Sequence, residues 1–501
     1  MKERVQWQHP LILQHGIDQT HLVLSDDLAD NPDFSFLVLG DSGAGPHKKH
    51  HPQRQIAEMM LPHTANCRFL LHTGDVVYQV GSKEFYLENF IKPYKELIVG
   101  GETPEKIQFD KMVFNFPFLP VLGNHDYYDL PFLSSLLLEV TTPLRRLLGF
   151  QQILTLGKQG SDVGDTFSRA FLDYLKLKQG KDLNYHLDSH YTAQTDTGRS
   201  LLYQPGKFTR IPNRYYTFRY GGIDFFALDS NTFNTPSPLP ATKEGEAFRR
   251  ELEKRRLELE REEMELLDRS SKLQEDLPED AELLDDIEGK LEQIAEIKMD
   301  IDKQLRANAK NVLDWEQLEW LRDRLIESWH NHQVKGRIIY FHHPPYVTES
   351  TKWNQAQTLA VRQNIRWVLD EVAQVLGSRQ GDRPLVDLVF NGHAHCLEYL
   401  RTGNTGHADS HINWIVCGGS GFSLRRQRLE GNELIDDQGN LTAVSQLFVG
   451  MNGYATKKRR PYSFIRVDVQ SGCPPKFKIS PFVAERFRRT WKEYPLEPFI
   501  I

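Results

Sequence analysis

Short apolar runs that end in a polar residue recur along the chain. They are FLVLGD (36–41), FLLHTGD (69–75), FLPVLGN (118–124), RIIYFH (337–342) and LVDLVFNGH (385–393). Each run predicts a buried strand that stops where a side chain able to bind a metal begins. Ligands bind at the carboxyl ends of the strands in open α/β sheets. We therefore expect these five strand ends to form one functional edge of an α/β fold. Further strands are predicted within 215–230, 412–421 and 462–470.

Two segments interrupt this pattern, and the first covers residues 130–210. It is rich in leucine and then polar, with helical patterns in LSSLLLEVTTPLRRLL and TFSRAFLDYLKLK. Because it directly follows the third strand end, GNHD, we expect a helical insertion that overhangs the strand ends. Whether it acts as a lid is left open.

The second segment, residues 243–310, is dominated by charged residues, leucine and isoleucine. Leucine recurs every seventh residue in its first half, and apolar residues follow a three-four spacing after the breaker QEDLPED. The first set is Leu252, Leu259, Leu266 and Leu273, and the second is Leu284, Ile287, Leu291, Ile294, Ile301 and Leu305, with Lys298 at a skipped seam position. This predicts an antiparallel helical hairpin with a coiled-coil seam. A predicted helix at 314–329 leads back into the RIIYFH strand, so the hairpin is an insertion.

The composition of the 501 residues is that of a globular protein, with 39% hydrophobic and 26% charged residues and a net charge of −7. The hairpin holds 14 basic and 22 acidic residues, which leaves 47 basic and 46 acidic residues elsewhere. Because no concentrated basic stripe and no long apolar run appears, we expect neither nucleic acid nor membrane as a partner.

Cys67, Cys396, Cys417 and Cys473 form no paired motif, and the first residues carry no signal-like apolar core. Both observations favour a cytoplasmic location.

The polar residues at the strand ends form a candidate metal-binding set. They are Asp41, Asp75, Tyr78, Asn124, His342, His393 and His395, and His125 lies next to Asn124 at the same strand end. Hard oxygen donors mixed with imidazole suit borderline divalent metals or Fe(III), whereas the absence of paired cysteines argues against a structural zinc site. The donors outnumber what one ion needs and suffice for two ions that share a carboxylate.

The motifs GDSG, GDVVY, GNHD, IYFH and GHAH follow one another in the order of a known pattern, GDxG–GDxxY–GNH(D/E)–VxxH–GHxH. In this the chain resembles the calcineurin-like metallophosphoesterases, and within them the purple acid phosphatase branch. The stretches GDVVYQVGS, VLGNHDYYD, GHAHCLEYL and WIVCGGSGFS resemble the tartrate-resistant acid phosphatase type. The resemblance covers roughly residues 34–129, 213–233 and 311–425. It implies an α/β/β/α sandwich, divided into 34–242 and 311–490 by the hairpin at 243–310.

The resemblance also implies the ligands of a dinuclear centre. One metal would be held by Asp41, Asp75, Tyr78 and His395, and the other by Asp75, Asn124, His342 and His393, with Asp75 bridging. His342 is chosen over His343 because relatives carry the ligand in an H-x-P pattern. His343 would be a second-sphere residue or a phosphate contact, and a purely buried polar role is equally open. The metals would be iron with iron, zinc or manganese, or two manganese ions.

The implied reaction is hydrolysis of a small phosphomonoester by a metal-activated water. His125 would protonate the leaving oxygen as general acid, and Asp126 would either orient His125 or shape its loop. One alternative is a phosphodiesterase or nucleotidase that uses the same centre. Another is a scaffold protein that displays the hairpin. For the hairpin itself, dimerisation, binding of a partner protein and packing on its own body are all left open.

Overall fold

The computed structural model describes residues 1–46, 50–78, 81–127, 164–274, 277–308, 313–436, 438–454 and 457–501. The first predicted helix of the 130–210 segment, LSSLLLEVTTPLRRLL, lies outside these residues. The strands are β1 (Ile17–Leu24), β2 (Phe34–Leu39), β3 (Leu70–His72), β4 (Phe118–Pro120), β5 (Ala193–Thr195), β6 (Gly198–Tyr203), β7 (Tyr216–Tyr220), β8 (Ile223–Ala227), β9 (Gly336–Tyr340), β10 (Leu388–Asn391), β11 (Leu397–Thr402), β12 (Asn413–Cys417), β13 (Glu433–Ile435), β14 (Leu441–Val449), β15 (Arg459–Gln470), β16 (Lys476–Phe487), β17 (Thr490–Pro495) and β18 (Phe499–Ile500).

Helices flank these strands and form the insertions. They are α1 (Pro10–Gln14), α2 (Pro52–Thr64), α3 (Lys83–Tyr86), α4 (Asp165–Phe171), α5 (Gly180–His190), α6 (Lys243–Ser271), α7 (Pro278–Arg306), α8 (Trp315–His330) and α9 (Ala356–Leu376). A π-helical turn, Leu87–Ile91, continues α3. Short 3₁₀ turns lie at Lys95–Leu97, Pro104–Lys106, Phe109–Lys111, His125–Tyr127, Ser230–Thr232 and Gly377–Arg379.

The strands form two sheets. The large sheet has the order β13-β14-β11-β12-β10-β9-β8-β7-β1-β6-β5, and the small one β17-β16-β15-β2-β3-β4 with β18 beside β16. β2, β3 and β4 are parallel neighbours in the small sheet, and β9 and β10 are parallel neighbours in the large one. All five predicted strands are therefore present, and within each sheet their carboxyl ends emerge at one edge.

A core of aromatic side chains joins the two sheets. Phe36 and Phe69 of the small sheet stack with ring centroids 5.2 Å apart, and each meets Phe225 of the large sheet edge to face. These rings are fully buried, and burial of each contributes about 1.5–3 kcal/mol. Apolar residues of α8 and α9 cover the outer face of the large sheet, and those of α2 cover the small one. The predicted α/β/β/α sandwich is thus the observed architecture.

The sheets extend beyond the predicted domain limits of 34 and 490. β1 precedes residue 34, and β16, β17 and β18 carry the small sheet to residue 500. The segment predicted as a helical insertion also contributes β5 and β6, and β6 pairs in parallel with β1. Leu201 and Tyr203 of β6 enter the core between the sheets, which explains why these residues adopt a strand.

The residues predicted as a helical hairpin contain α6 and α7, which run antiparallel. Arg256 of α6 pairs with Asp302 at 2.7 Å, and farther along α6 Glu263 pairs with Lys298 at 2.8 Å. Leu259, Ile294 and Ile301 are buried together between the helices. Lys298, at the skipped seam position, is thus an ion-pair partner within the hairpin. The coiled-coil geometry of the seam stays a prediction.

Two further expectations from the sequence concern membranes and thiols. Across the described part of the chain, no helix combines the length and the apolar character needed to cross a bilayer. All four cysteines lie in this part, and all are free thiols, of which Cys473 is the exposed one.

An ion pair between Asp18 of β1 and Arg324 of α8 provides a test of the packing between these two elements. The Asp18 carboxylate lies 2.5 Å from the Arg324 guanidinium and accepts from the Thr20 hydroxyl at 2.7 Å. Burial opposes ionisation of Asp18, but Arg324 and the neighbouring hydroxyl groups outweigh it and hold the pKa below its ordinary value. The ionised carboxylate therefore stabilises the fold above about pH 4, and this contribution is lost as the pH falls below that value.

We expect Asp18→Asn to lower the free energy of unfolding by about 1–3 kcal/mol at pH 7, because Arg324 loses its charged partner. The deficit should shrink at pH 3, where the wild-type carboxylate approaches protonation. Urea unfolding at both pH values measures it, with the exposed Asp30→Asn as control. A deficit of equal size at both pH values would contradict the electrostatic explanation.

Candidate metal centre

The carboxyl ends of five strands bring the predicted ligands together. Asp41 follows β2, Asp75 and Tyr78 follow β3, Asn124 and His125 follow β4, His342 follows β9, and His393 and His395 follow β10. All are buried except Asn124, which is half-buried. The two sheets thus contribute to one cluster, as the parallel strand ends predict.

The hydroxyl of Tyr78 marks the first half of the cluster. It donates to Asp75 Oδ2 at 2.7 Å and lies 2.9 Å from Asp41 Oδ1 and 3.3 Å from His395 Nε2. The phenol ring stacks on Phe422, with ring centroids 3.9 Å apart. The four side chains that the resemblance assigns to one metal therefore converge on a single point.

His342 marks the second half. Its Nε2 lies 3.1 Å from Asn124 Oδ1 and 3.3 Å from Asp75 Oδ2. Its ring centroid is 5.0 Å from that of His393. Asp75 consequently contacts both halves, which is the position that a bridging carboxylate requires.

Backbone carbonyls fix the orientation of two histidines. His342 Nδ1 donates to the carbonyl of Thr73 at 2.9 Å, and His395 Nδ1 donates to the carbonyl of Ser423 at 3.0 Å. In the neutral form of each ring Nδ1 carries the proton, so the lone pair of that form lies on Nε2 and faces the cluster. Metal-binding imidazoles in proteins are oriented by this kind of hydrogen bond.

The backbone around the carboxylates is strained and tightly packed. Asp41, Asp75 and His393 have φ of 52°, 54° and 66°, a left-handed conformation that costs a non-glycine residue roughly 1–2 kcal/mol. A Cβ at Gly123 would lie 2.0 Å from Asp75 Oδ1, and one at Gly392 would lie 2.5 Å from Asp41 Oδ2. The glycines of GNHD and GHAH therefore allow the loops to close around the carboxylates.

Two acidic groups of the cluster, Asp41 and Tyr78, resist ionisation. Burial, and then the Asp75 charge, raises the pKa of Asp41 well above its usual value. Burial and both carboxylates likewise raise the pKa of the Tyr78 phenol. Burial opposes a charge on His342, but Asp75 and Asp41 outweigh it and raise the pKa to about 9. The carboxylates therefore favour positive charge at this position, which suits a metal cation.

The remaining two histidines are held in the neutral form that metal binding requires. Burial, and then the charge of Lys352, lowers the pKa of His393 well below its usual value. Burial and the charge of Arg425 lower the pKa of His395 to about 3. Both rings are therefore neutral at neutral pH.

Two triads have donor atoms within 4.8 Å of one another, Asp41–Asp75–His342 and His342–His343–His393. In His343, however, both ring nitrogens have protein partners. Nδ1 lies 2.8 Å from Ser230 Oγ, and Nε2 accepts from the Asn234 amide at 3.1 Å. Metal binding by His343 would cost one of these hydrogen bonds, so its contacts fit a second-sphere role beside His393 better than a ligand role.

The loop after β4 carries the predicted general acid. The His125 ring lies against Tyr78, with centroids 4.3 Å apart, and its backbone N–H donates to Asp75 Oδ1 at 2.9 Å. Asp126 accepts from the backbone N–H groups of Gly123 at 2.9 Å and Val76 at 3.0 Å. These contacts correspond to the loop-shaping alternative for Asp126. Burial, and then the charge of Asp75, raises its pKa to about 7.

Several side chains around the cluster are not among the predicted site residues. They are Ser230, Asn234, Lys352, Gln357, Phe422 and Arg425. The Gln357 side-chain amide lies 3.1 Å from His393 Nε2. Phe422 lies in the WIVCGGSGFS stretch, whereas the other five come from loops or a helix start outside the quoted motifs, so only the folded chain reveals their contacts.

The fold is similar to those of several solved structures, although the likeness is low. The purple acid phosphatase PPD1 from yellow lupin (Lupinus luteus) seeds has 10% identity and a TM-score of 0.39, with 94% of this chain and 54% of that chain covered. The chain thus spans about half the length of that phosphatase. PhoD has 10% identity and a TM-score of 0.41, with 95% and 70% covered.

A third similar structure is GAP50, described as the anchor in the inner membrane complex of Plasmodium. It has 12% identity and a TM-score of 0.36, with 93% of this chain and 88% of that chain covered. No protein-family model and no curated protein sequence matches the chain. The function of this protein therefore has to be inferred from the residues of its own site.

Proposed function

We propose that the protein is a dinuclear-metal phosphatase that hydrolyses small phosphomonoesters. The observation that supports this most strongly is the convergence of two donor groups on a shared carboxylate. Tyr78 lies within 3.3 Å of Asp41, Asp75 and His395, while His342 lies within 3.3 Å of Asp75 and Asn124.

The chemistry of these donors fits two metal ions. Carboxylate, phenol, carboxamide and imidazole groups together suit iron with iron, zinc or manganese, or two manganese ions. In their neutral forms His342 and His395 have the lone pair on Nε2, facing the cluster, and the buried carboxylates favour positive charge there. When bound, two ions would neutralise the charge of the phosphate oxygens and lower the pKa of a water molecule, which allows that water to lose a proton and attack phosphorus.

The protein's own side chains would bind and orient the substrate and move a proton. His125 lies beside Tyr78 at the rim of the first donor group, where we assign it the protonation of the leaving oxygen. The buried cations Lys352 and Arg425 add positive charge near His393 and His395, which favours an anionic ester over a neutral one. The proposal includes a cytoplasmic location, with neither nucleic acid nor membrane as a partner.

The first test is an assay of metal-loaded protein with p-nitrophenyl phosphate and bis-p-nitrophenyl phosphate. We expect turnover of the monoester, and a loss of about 10²–10³-fold or more in kcat/KM in Asp75→Asn, because the shared carboxylate is removed. Preferential turnover of the diester would replace the monoesterase with the phosphodiesterase alternative. Turnover of neither ester would favour the scaffold alternative.

Metal content provides a second test that does not depend on activity. We expect His395→Ala to bind metal at least about 100-fold more weakly than wild type, as measured by mass spectrometry of the dialysed protein. His186→Ala is a matched control, because His186 is also buried beside a carboxylate, 2.8 Å from Asp173, but lies outside the cluster. Equal metal content in both variants would contradict the assignment of His395.

A third prediction concerns the role of His125. Because p-nitrophenolate leaves without protonation and an alkoxide does not, we expect His125→Ala to lose about 10²-fold in kcat on an alkyl phosphate and far less on p-nitrophenyl phosphate. Metal content should stay at the wild-type level. A loss of the same size on both substrates would argue against proton donation by His125.

A further inference from the structure

The second helix of the hairpin has a polar face that packs against the body rather than against α6. Its residues recur every three or four positions, which places them on one side of α7. They are Gly289, Glu292, Glu296, Asp300 and Lys303. The hairpin therefore packs on its own body, the third of the roles left open from the sequence, and it does so beside the candidate metal centre.

Asp300 connects α7 to His393. Its carboxylate accepts from the backbone N–H groups of Ala356 at 2.9 Å and Gln357 at 3.0 Å, the first two residues of α9. The N-cap residue of α9, Gln355, makes no capping hydrogen bond through its own side chain. Asp300 thus caps α9 from a distant segment, where the helix dipole favours a negative charge. Gln357, fixed in this way, has its side-chain amide 3.1 Å from His393 Nε2.

Lys303 connects α7 to His343. Its ammonium group donates to Asn234 Oδ1, and the Asn234 amide donates to His343 Nε2 at 3.1 Å. The His343 ring lies against His393, with centroids 4.4 Å apart. This second chain of contacts starts from the loop after β8. It reaches His343 directly and His393 through the His343 ring.

Glu296 connects α7 to the segment that orients His395. Its carboxylate lies 2.8 Å from Lys352 Nζ and 3.9 Å from the Arg425 guanidinium, and both cations are 1% exposed. The Arg425 backbone N–H donates to the His395 carbonyl at 2.9 Å. A Cβ at Gly289 would lie 2.9 Å from Ser423 Oγ, so the helix approaches this segment closely.

Buried ion pairs of this kind contribute little net stability, because desolvation offsets the attraction between the charges. Apolar contacts would attach a helix to the body as firmly. What the polar face of α7 adds is directional contact with the groups that surround His343, His393 and His395.

We propose that α7 is a positioning element of the metal centre, with Asp300 and Lys303 as positioning residues that act through Gln357 and Asn234. The inference rests on the proposed function, because it takes His343, His393 and His395 as parts of a metal site. It makes the inserted hairpin a part of that site, so that the docking of α7 sets the affinity for metal.

The test compares body-facing residues of α7 with neighbours that face α6. Asp300→Ala and Lys303→Met remove contacts to the body, whereas Asp302→Ala and Lys298→Met remove ion pairs to Arg256 and Glu263 within the hairpin. Mn²⁺ is the probe, and its affinity is measured by titration with electron paramagnetic resonance of the free ion. Urea unfolding of all four variants measures the accompanying loss of stability.

We expect Asp300→Ala and Lys303→Met to weaken Mn²⁺ binding by about 10–100-fold, and the two controls to bind as wild type does. Asp300→Asn, which keeps an acceptor for α9, should recover part of the affinity. Wild-type affinity in both body-facing variants would overturn the inference. A loss of equal size in the controls would also overturn it, because general destabilisation would then suffice.

The inference and the proposed function can fail separately. Mn²⁺ binding by the wild type without turnover of either nitrophenyl ester would contradict the phosphatase, while the comparison of affinities would still decide the role of α7. A wild type that binds no Mn²⁺ would contradict both.

Discussion

The crowding of three acidic oxygen-bearing groups in a water-poor site is the constraint on which the rest of the structure depends. The Tyr78 hydroxyl lies within 2.9 Å of both Asp41 and Asp75, and all three side chains are almost completely buried. Ionisation is unfavourable under these conditions unless a positive charge is close. The strained backbone at Asp41 and Asp75 and the adjacent glycines keep the groups together despite their repulsion.

The architecture explains how such a cluster is held. Parallel strands of each sheet end at one edge, and the aromatic core between the sheets fixes the two edges relative to each other. Carboxylates come from the small sheet, and the histidines His342, His393 and His395 come from the large one. A shift between the sheets would therefore separate acidic donors from imidazoles, so the inter-sheet packing also sets the geometry of the site.

The sequence predicts those parts of the molecule that depend on local pattern. Each strand end combines an apolar run with a polar residue directly after it, so the pattern predicts the five strands directly. β6 was missed as a strand, because its partner β1 lies far away in sequence. The same reason applies to Gln357 and Asn234, whose contacts with His393 and His343 join segments that no spacing relates.

The charge of the hairpin shows what the structure adds to composition. The sequence shows only that the acidic excess of the chain belongs to residues 243–310. In the fold, Glu292, Glu296 and Asp300 face inward, where the first two lie beside the buried Arg425 and Asp300 caps α9. Without α7, the buried cations Lys352 and Arg425 would lose these carboxylates, and an uncompensated buried charge costs several kcal/mol. The near-neutral body therefore depends on its acidic insertion, and the hairpin is not a dispensable appendage.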